Sequence, residues 1–74
     1  MVRANLKHLV EDAEMRVQRS RRRLDHQREA VAALERAGQD ATMAKRVLKI
    51  LEKALAVHSA DRDRLTKRLA LKGS

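Results

Sequence analysis

The chain has 74 residues, and none of them is aromatic, cysteine or proline. A chain of this length forms a single domain, 1–74, that buries only about 60% of its unfolded surface, so its aliphatic core needs partner helices. Without cysteine there are no disulfides or thiolate ligands, and without an apolar run of about 18 residues there is no membrane span. Eighteen Lys and Arg against ten Asp and Glu give a net charge of +8, which favours an anionic partner.

The composition predicts two helices joined by one short turn. Strong helix formers dominate the sequence, and Gly38 is the only glycine away from the C-terminus. Asn5 is a candidate N-cap for a first helix over about residues 6–37, and Asp40 is one for a second helix over about residues 41–71. Gly38 suits the position after a helix end, where a positive φ costs little without a Cβ. We therefore predict an all-α antiparallel hairpin with its turn at residues 38–40.

Apolar residues in both helices alternate steps of three and four, which is the spacing of a coiled-coil seam. Antiparallel partners across the turn have residue numbers that add up to about 78, which sets Ser20 opposite His58 and Gln27 opposite Leu51. The predicted seam residues are Leu6, Val10, Ala13, Val17, Ser20, Leu24, Gln27, Val31 and Leu34 in the first helix and Ala44, Leu48, Leu51, Leu55, His58, Arg62, Leu65 and Leu69 in the second.

A second line of apolar residues lies beside the seam of the second helix and has no counterpart within the chain. Together the two lines widen the apolar arc of this helix to about 180°, which one neighbouring helix does not cover. We expect this second line to join two hairpins into a homodimeric four-helix bundle. It is called the apolar strip below and consists of Met43, Val47, Ile50, Ala54 and Val57.

Basic residues concentrate in the middle of the first helix and on the outside of the second. Lys and Arg side chains that contact phosphates of RNA or DNA displace condensed counterions, whereas the same residues on a solvated face only keep a small bundle soluble. Interleaved carboxylates partly neutralise them, with Asp25 in reach of Arg28 and Asp63 in reach of Lys67. The candidate anion-binding residues are Arg19, Arg22, Arg23, Lys45, Arg46, Lys49 and Lys53.

Ser20, His58 and Arg62 interrupt the apolar seams with polar side chains. A Ser-His-Asp catalytic arrangement with Asp61 would need an exposed nucleophile and oxyanion donors, which a serine in mid-helix does not have. A polar layer instead fixes the register of an aliphatic bundle at some cost in stability. We therefore predict a polar core layer of Ser20, His58 and Arg62, and no enzyme activity.

The spacing of the possible ligands predicts neither a metal nor a cofactor. His8, His26 and His58 are far apart, and none of them forms a His-x3-His or Glu-x2-His pair. The carboxylates near the start of the first helix are explained by the helix dipole, which favours negative charge at that end.

Four stretches of the sequence carry a resemblance. Residues 8–14 are acidic, residues 27–35 are rich in alanine, residues 38–40 form a Gly-x-Asp turn, and residues 58–65 read His-x2-Asp-Arg-Asp-Arg-Leu. In these features the chain resembles a family of short bacterial proteins of unknown function. The resemblance implies a stand-alone helical hairpin and brings no activity or substrate with it.

These patterns predict a small non-enzymatic interaction or adaptor module built on a homodimeric helical hairpin. Its expected partners are a second copy of the chain and a protein docked on the charged outer faces. The alternative is a basic hairpin that binds RNA or DNA through phosphate contacts. Because the N-terminus lacks the apolar run of a signal peptide, we expect a cytoplasmic location and no membrane partner.

Overall fold

The computed structural model describes residues 2–72, which form two α-helices. The first helix, α1, spans Val2–Arg36, and the second, α2, spans Thr42–Lys72. They pack against each other as an antiparallel hairpin whose Cα atoms occupy 56 × 14 × 14 Å. The predicted all-α hairpin is therefore confirmed.

Gly38 ends α1 in the left-handed conformation that the sequence predicts, with a φ of 72°. The backbone N–H of Gln39 donates to the carbonyl of Leu34 over 2.9 Å, and that of Gly38 donates to Glu35 over 3.1 Å. These two bonds form a Schellman motif, which satisfies carbonyls that the helix end leaves without intrahelical donors. The chain reverses direction here because glycine adopts this φ without steric cost.

The start of α2 lies one residue later than the sequence predicts. The carbonyl of Ala41 accepts the first intrahelical bond from the N–H of Lys45 over 2.8 Å, so Ala41 is the N-cap. Asp40 precedes the cap, and its Oδ1 accepts the backbone N–H of Thr42 over 3.0 Å and its hydroxyl over 2.6 Å. Asp40 therefore satisfies a free helical N–H as expected, from one position further out.

Asn5 does not cap α1, which is a correction to the sequence analysis. The helix already begins at Val2, so Asn5 lies inside it. An asparagine costs a helix interior less than about 1 kcal/mol, and no proline or glycine precedes it to stop the helix. The capping potential of Asn5 is therefore not used.

The predicted seam is the contact between the helices. In α1 every seam residue is buried except Gln27 and Leu34, which are half-buried, and in α2 every seam residue is half-buried. Ser20 and His58 border one concavity, and Gln27 and Leu51 border another. The amide Nε2 of Gln27 also donates to the carbonyl of Ala44 over 2.9 Å, which ties the two helices together.

Burial is unequal between the helices. Within the described range α1 contributes fully buried side chains such as Val17, whereas α2 contributes none. The seam of α1 contains three leucines, three valines and one alanine, whereas the seam of α2 contains five leucines. These leucines cover the α1 seam but keep part of their own surface in water. Most of the exposed large apolar side chains among the described residues lie on α2, and Leu9 and Met15 lie on α1.

Candidate interaction surfaces

The apolar strip lies open on α2. Met43 is 67% exposed, Val47 40%, Ile50 64% and Val57 59%, while Ala54 is half-buried. From Met43 to Val57 the strip is about 21 Å long at 1.5 Å per residue. Its side chains adjoin the half-exposed leucines of the seam, so the turn-proximal half of α2 presents a wide, continuous apolar surface.

The same line on α2 changes character beyond Val57. Steps of four and three lead next to Asp61, Arg64 and Arg68, and then to Leu71, which is largely exposed. Asp61 forms an ion pair with Arg64. This line of α2 is therefore apolar from Met43 to Val57, where the strip lies, and charged at Asp61, Arg64 and Arg68.

Arginines of both helices meet in the turn-distal half of the hairpin. Arg16 borders one concavity together with Arg64 and Arg68, and a neighbouring concavity with Arg19 and Arg23. All five side chains are exposed, so their charges face solvent. We call this set, Arg16, Arg19, Arg23, Arg64 and Arg68, the arginine groove.

The candidate anion-binding residues separate into two places. Arg19, Arg22 and Arg23 border the concavities between the helices. Lys45, Arg46, Lys49 and Lys53 are exposed on α2 nearer the turn. There Lys45 forms a 3.1 Å ion pair with Glu35 across the turn, and Arg46 donates to the sulfur of Met43.

Sequence reasoning had left Arg16, Arg64 and Arg68 out of the candidate anion-binding set. The register that adds to about 78 was the available signal, because it brings Arg16 beside the Asp61–Arg64 turn of α2. One predicted ion pair, Arg28 with Asp25, is present at 3.6 Å. The predicted pair of Asp63 with Lys67 is not what the structure has, since Arg62 lies closer and donates to Asp63 over 3.0 and 3.1 Å.

The polar layer is brought together in part. Ser20 is buried, and His58 and Arg62 are half-buried one turn apart on α2. Ser20 and His58 border the same concavity, but the guanidinium of Arg62 turns to its neighbour Asp63, and Asp61 turns to Arg64. The charged hydrogen bonds at this level therefore run along α2 and do not link Ser20, His58 and Asp61 into a chain.

Asp40 at the turn carries a carboxyl group whose ionisation is shaped by its neighbours. The hydroxyl and backbone N–H of Thr42 donate to its carboxylate, and with the charge of Lys45 they hold the pKa of Asp40 below its ordinary value of 3.8. The side chain is fully exposed, so the effect is local to the start of α2.

Between residues 2 and 72 no three His, Cys, Asp or Glu side chains are grouped closely enough to hold a metal ion. In the same range neither helix is long and apolar enough to cross a membrane.

The fold and its surfaces define a two-helix hairpin with an uncovered apolar strip next to an arginine groove. No protein-family model, curated protein or solved structure matches the chain. The resemblance to short bacterial hairpin proteins therefore stays a prediction.

Proposed function

We propose that the protein is a non-enzymatic interaction module in which two hairpins form a homodimeric four-helix bundle, with α2 at the subunit contact. The charged outer faces of this bundle serve as docking surfaces for a protein partner. The observation that carries the proposal is the apolar strip, whose large side chains stand in water in the single hairpin.

The balance of burial supports self-association. A lone pair of helices can bury one seam only, and small chains of this kind rarely gain enough stability from a single core. The strip and the half-exposed leucines of α2 form a surface of the type that marks a protein contact. A second copy supplies the matching surface without any further chain, since an isologous contact uses the same patch on both subunits.

The second candidate function is binding of RNA or DNA. It is favoured by the arginine groove, because a groove with cations from two helices holds the phosphate backbone better than a single charged helix face. Asp61 neutralises only part of this charge. The chain has no aromatic ring on which an unpaired base could stack, so we expect such binding to depend mainly on phosphate contacts.

Sedimentation velocity over a concentration series tests the first proposal. We expect a species of twice the 8.5 kDa chain mass at micromolar concentration. A single-chain mass throughout the series would refute the homodimer.

A salt titration tests the second candidate with RNA and duplex DNA. If phosphate contacts hold the nucleic acid, affinity falls steeply with salt, and the Arg16→Gln/Arg64→Gln double variant lowers the slope of log affinity against log salt by about two. The Lys7→Gln/Arg36→Gln variant removes the same charge from exposed residues that belong neither to the arginine groove nor to the candidate anion-binding residues, and it serves as the control. An absence of binding at low salt, or equal effects of the two double variants, would refute this candidate.

A further inference from the structure

The apolar strip is symmetric about Ile50. Met43 lies seven residues before Ile50 and Val57 seven residues after it, which is two helical turns on either side. Val47 lies three residues before Ile50 and Ala54 four residues after it. If two copies of α2 cross in opposite directions at Ile50, Met43 therefore meets Val57 and Val47 meets Ala54.

We infer that two hairpins associate through the strip with their turns at opposite ends, about a two-fold axis at Ile50. This inference rests on the proposed homodimer and adds the orientation and register of its subunits.

Charge opposes the arrangement with both turns at the same end, although Asp61 neutralises part of it. A two-fold axis parallel to the helices would place every residue of α2 against its own copy. Arg64 and Arg68, which continue the line of the strip, would then face Arg64 and Arg68 of the partner subunit in a contact without water. Like charges brought together in this way oppose association.

Full antiparallel overlap of the two hairpins is excluded because apolar and charged surfaces would then face each other. An axis at the middle of the hairpin would lay the apolar strip of one subunit on the charged half of the other. Apolar side chains would lose their partners, and the arginines would be desolvated against them. An axis at Ile50 buries strip on strip and leaves Arg16, Arg64 and Arg68 of the arginine groove beyond the end of the contact.

The neighbouring surface of α1 is suited to this arrangement. Ala30 lies seven residues beyond Arg23 and therefore on the same line of α1, beside the strip, and Ala33 follows on the next turn. Both are exposed in the hairpin. Their small side chains leave room for the partner helix to approach.

An axis at Ile50 makes the dimer longer than one hairpin. Ile50 lies nine residues from Ala41, the N-cap of α2, so each subunit extends only about 14 Å past the axis on its turn side. With hairpins of 56 Å, the dimer reaches about 80 Å, whereas an arrangement with full overlap stays near the length of one hairpin.

Engineered cysteines test the orientation, since the chain has none of its own. Ile50→Cys forms an intersubunit disulfide in either orientation, because Ile50 meets its own copy in both. Met43→Cys alone forms one only when the turns lie at the same end. A mixture of Met43→Cys and Val57→Cys chains forms a mixed disulfide only when the turns lie at opposite ends.

We expect the Ile50→Cys disulfide and the mixed Met43→Cys/Val57→Cys disulfide to form about tenfold faster than a disulfide at the exposed control Lys53→Cys. The reason is that dimerisation raises the effective thiol concentration. A Met43→Cys homodisulfide at the rate of Ile50→Cys would overturn the orientation and leave the homodimer intact. Rates at Ile50→Cys equal to the control, with single-chain mass in sedimentation, would overturn the proposed function itself. A maximum dimension near 60 Å in small-angle scattering of the unmodified dimer would overturn the register.

Discussion

Ile50→Ala removes the side chain that lies on the proposed two-fold axis. Complete burial of an isoleucine side chain contributes about 1.5–3 kcal/mol, and Ile50 still exposes 64% of its surface in the single hairpin. Burial of Ile50 therefore stabilises the dimer by about 1–2 kcal/mol for each copy. Both copies of Ile50 lie at the two-fold axis, so the total is about 2–4 kcal/mol. The dissociation constant of the dimer should rise roughly 30- to 700-fold.

The dissociation constant is measured by sedimentation velocity or by calorimetric dilution. Alanine is a better helix former than isoleucine, so weaker association in the variant does not come from lost helix propensity. Lys53→Ala, an exposed change one turn away, is the control and should leave the dissociation constant within about threefold. A dissociation constant for Ile50→Ala within the same limits as the control would refute the assignment of the strip to the contact.

Three further changes test the turn, the polar layer and pH. Gly38→Ala should lower the free energy of unfolding by about 1 kcal/mol, because φ is 72° and the cost is conformational, with no atom within 4 Å of the added Cβ. A synthetic chain with D-alanine at this position should be more stable than the L-alanine variant. Equal stability of the two chains in urea unfolding would contradict the φ argument. His58→Leu should keep or raise the midpoint of thermal unfolding, and it should broaden NMR signals of seam residues because the register loosens. A decrease of more than about 2 kcal/mol in the free energy of unfolding would contradict the polar-layer interpretation. Folding lowers the pKa of Asp40, so the contribution of its carboxylate to stability is present above the unfolded pKa of 3.8 and is lost as the pH falls through the lower folded pKa. Asp40→Asn should remove this part of the acid dependence. Identical acid unfolding curves of the variant and the unmodified chain would count against the capping contact.

Much of the fold is contained in local sequence patterns. Helix propensity, the three-and-four spacing of apolar residues and a single internal glycine depend on neighbours within one or two helical turns. The agreement of the two seams across Gly38 also predicts the register, which sets Ser20 beside His58. Asn5 shows where this reasoning fails, because a residue that can cap a helix is not compelled to do so when the helix continues before it.

The surfaces formed jointly by the two helices are harder to predict from the sequence. The arginine groove needs the rotation of both helices about their axes, which decides that Arg16 lies beside Arg64 and Arg68. The unequal burial of the two seams also depends on how the helices pack, since every seam residue of α2 is half-buried whereas most seam residues of α1 are buried. The choice of Arg62 as partner of Asp63 depends on side-chain geometry that helical spacing does not fix.

The sequence by itself determined that this chain forms two helices, one turn and one seam, and that the apolar strip finds no partner inside the chain. The tertiary structure alone decided how far the strip is exposed and which arginines share its neighbourhood. The physical reason is that periodicity along one helix is a short-range property. Whether charged residues about fifty positions apart in the sequence lie side by side depends instead on how the two helices pack.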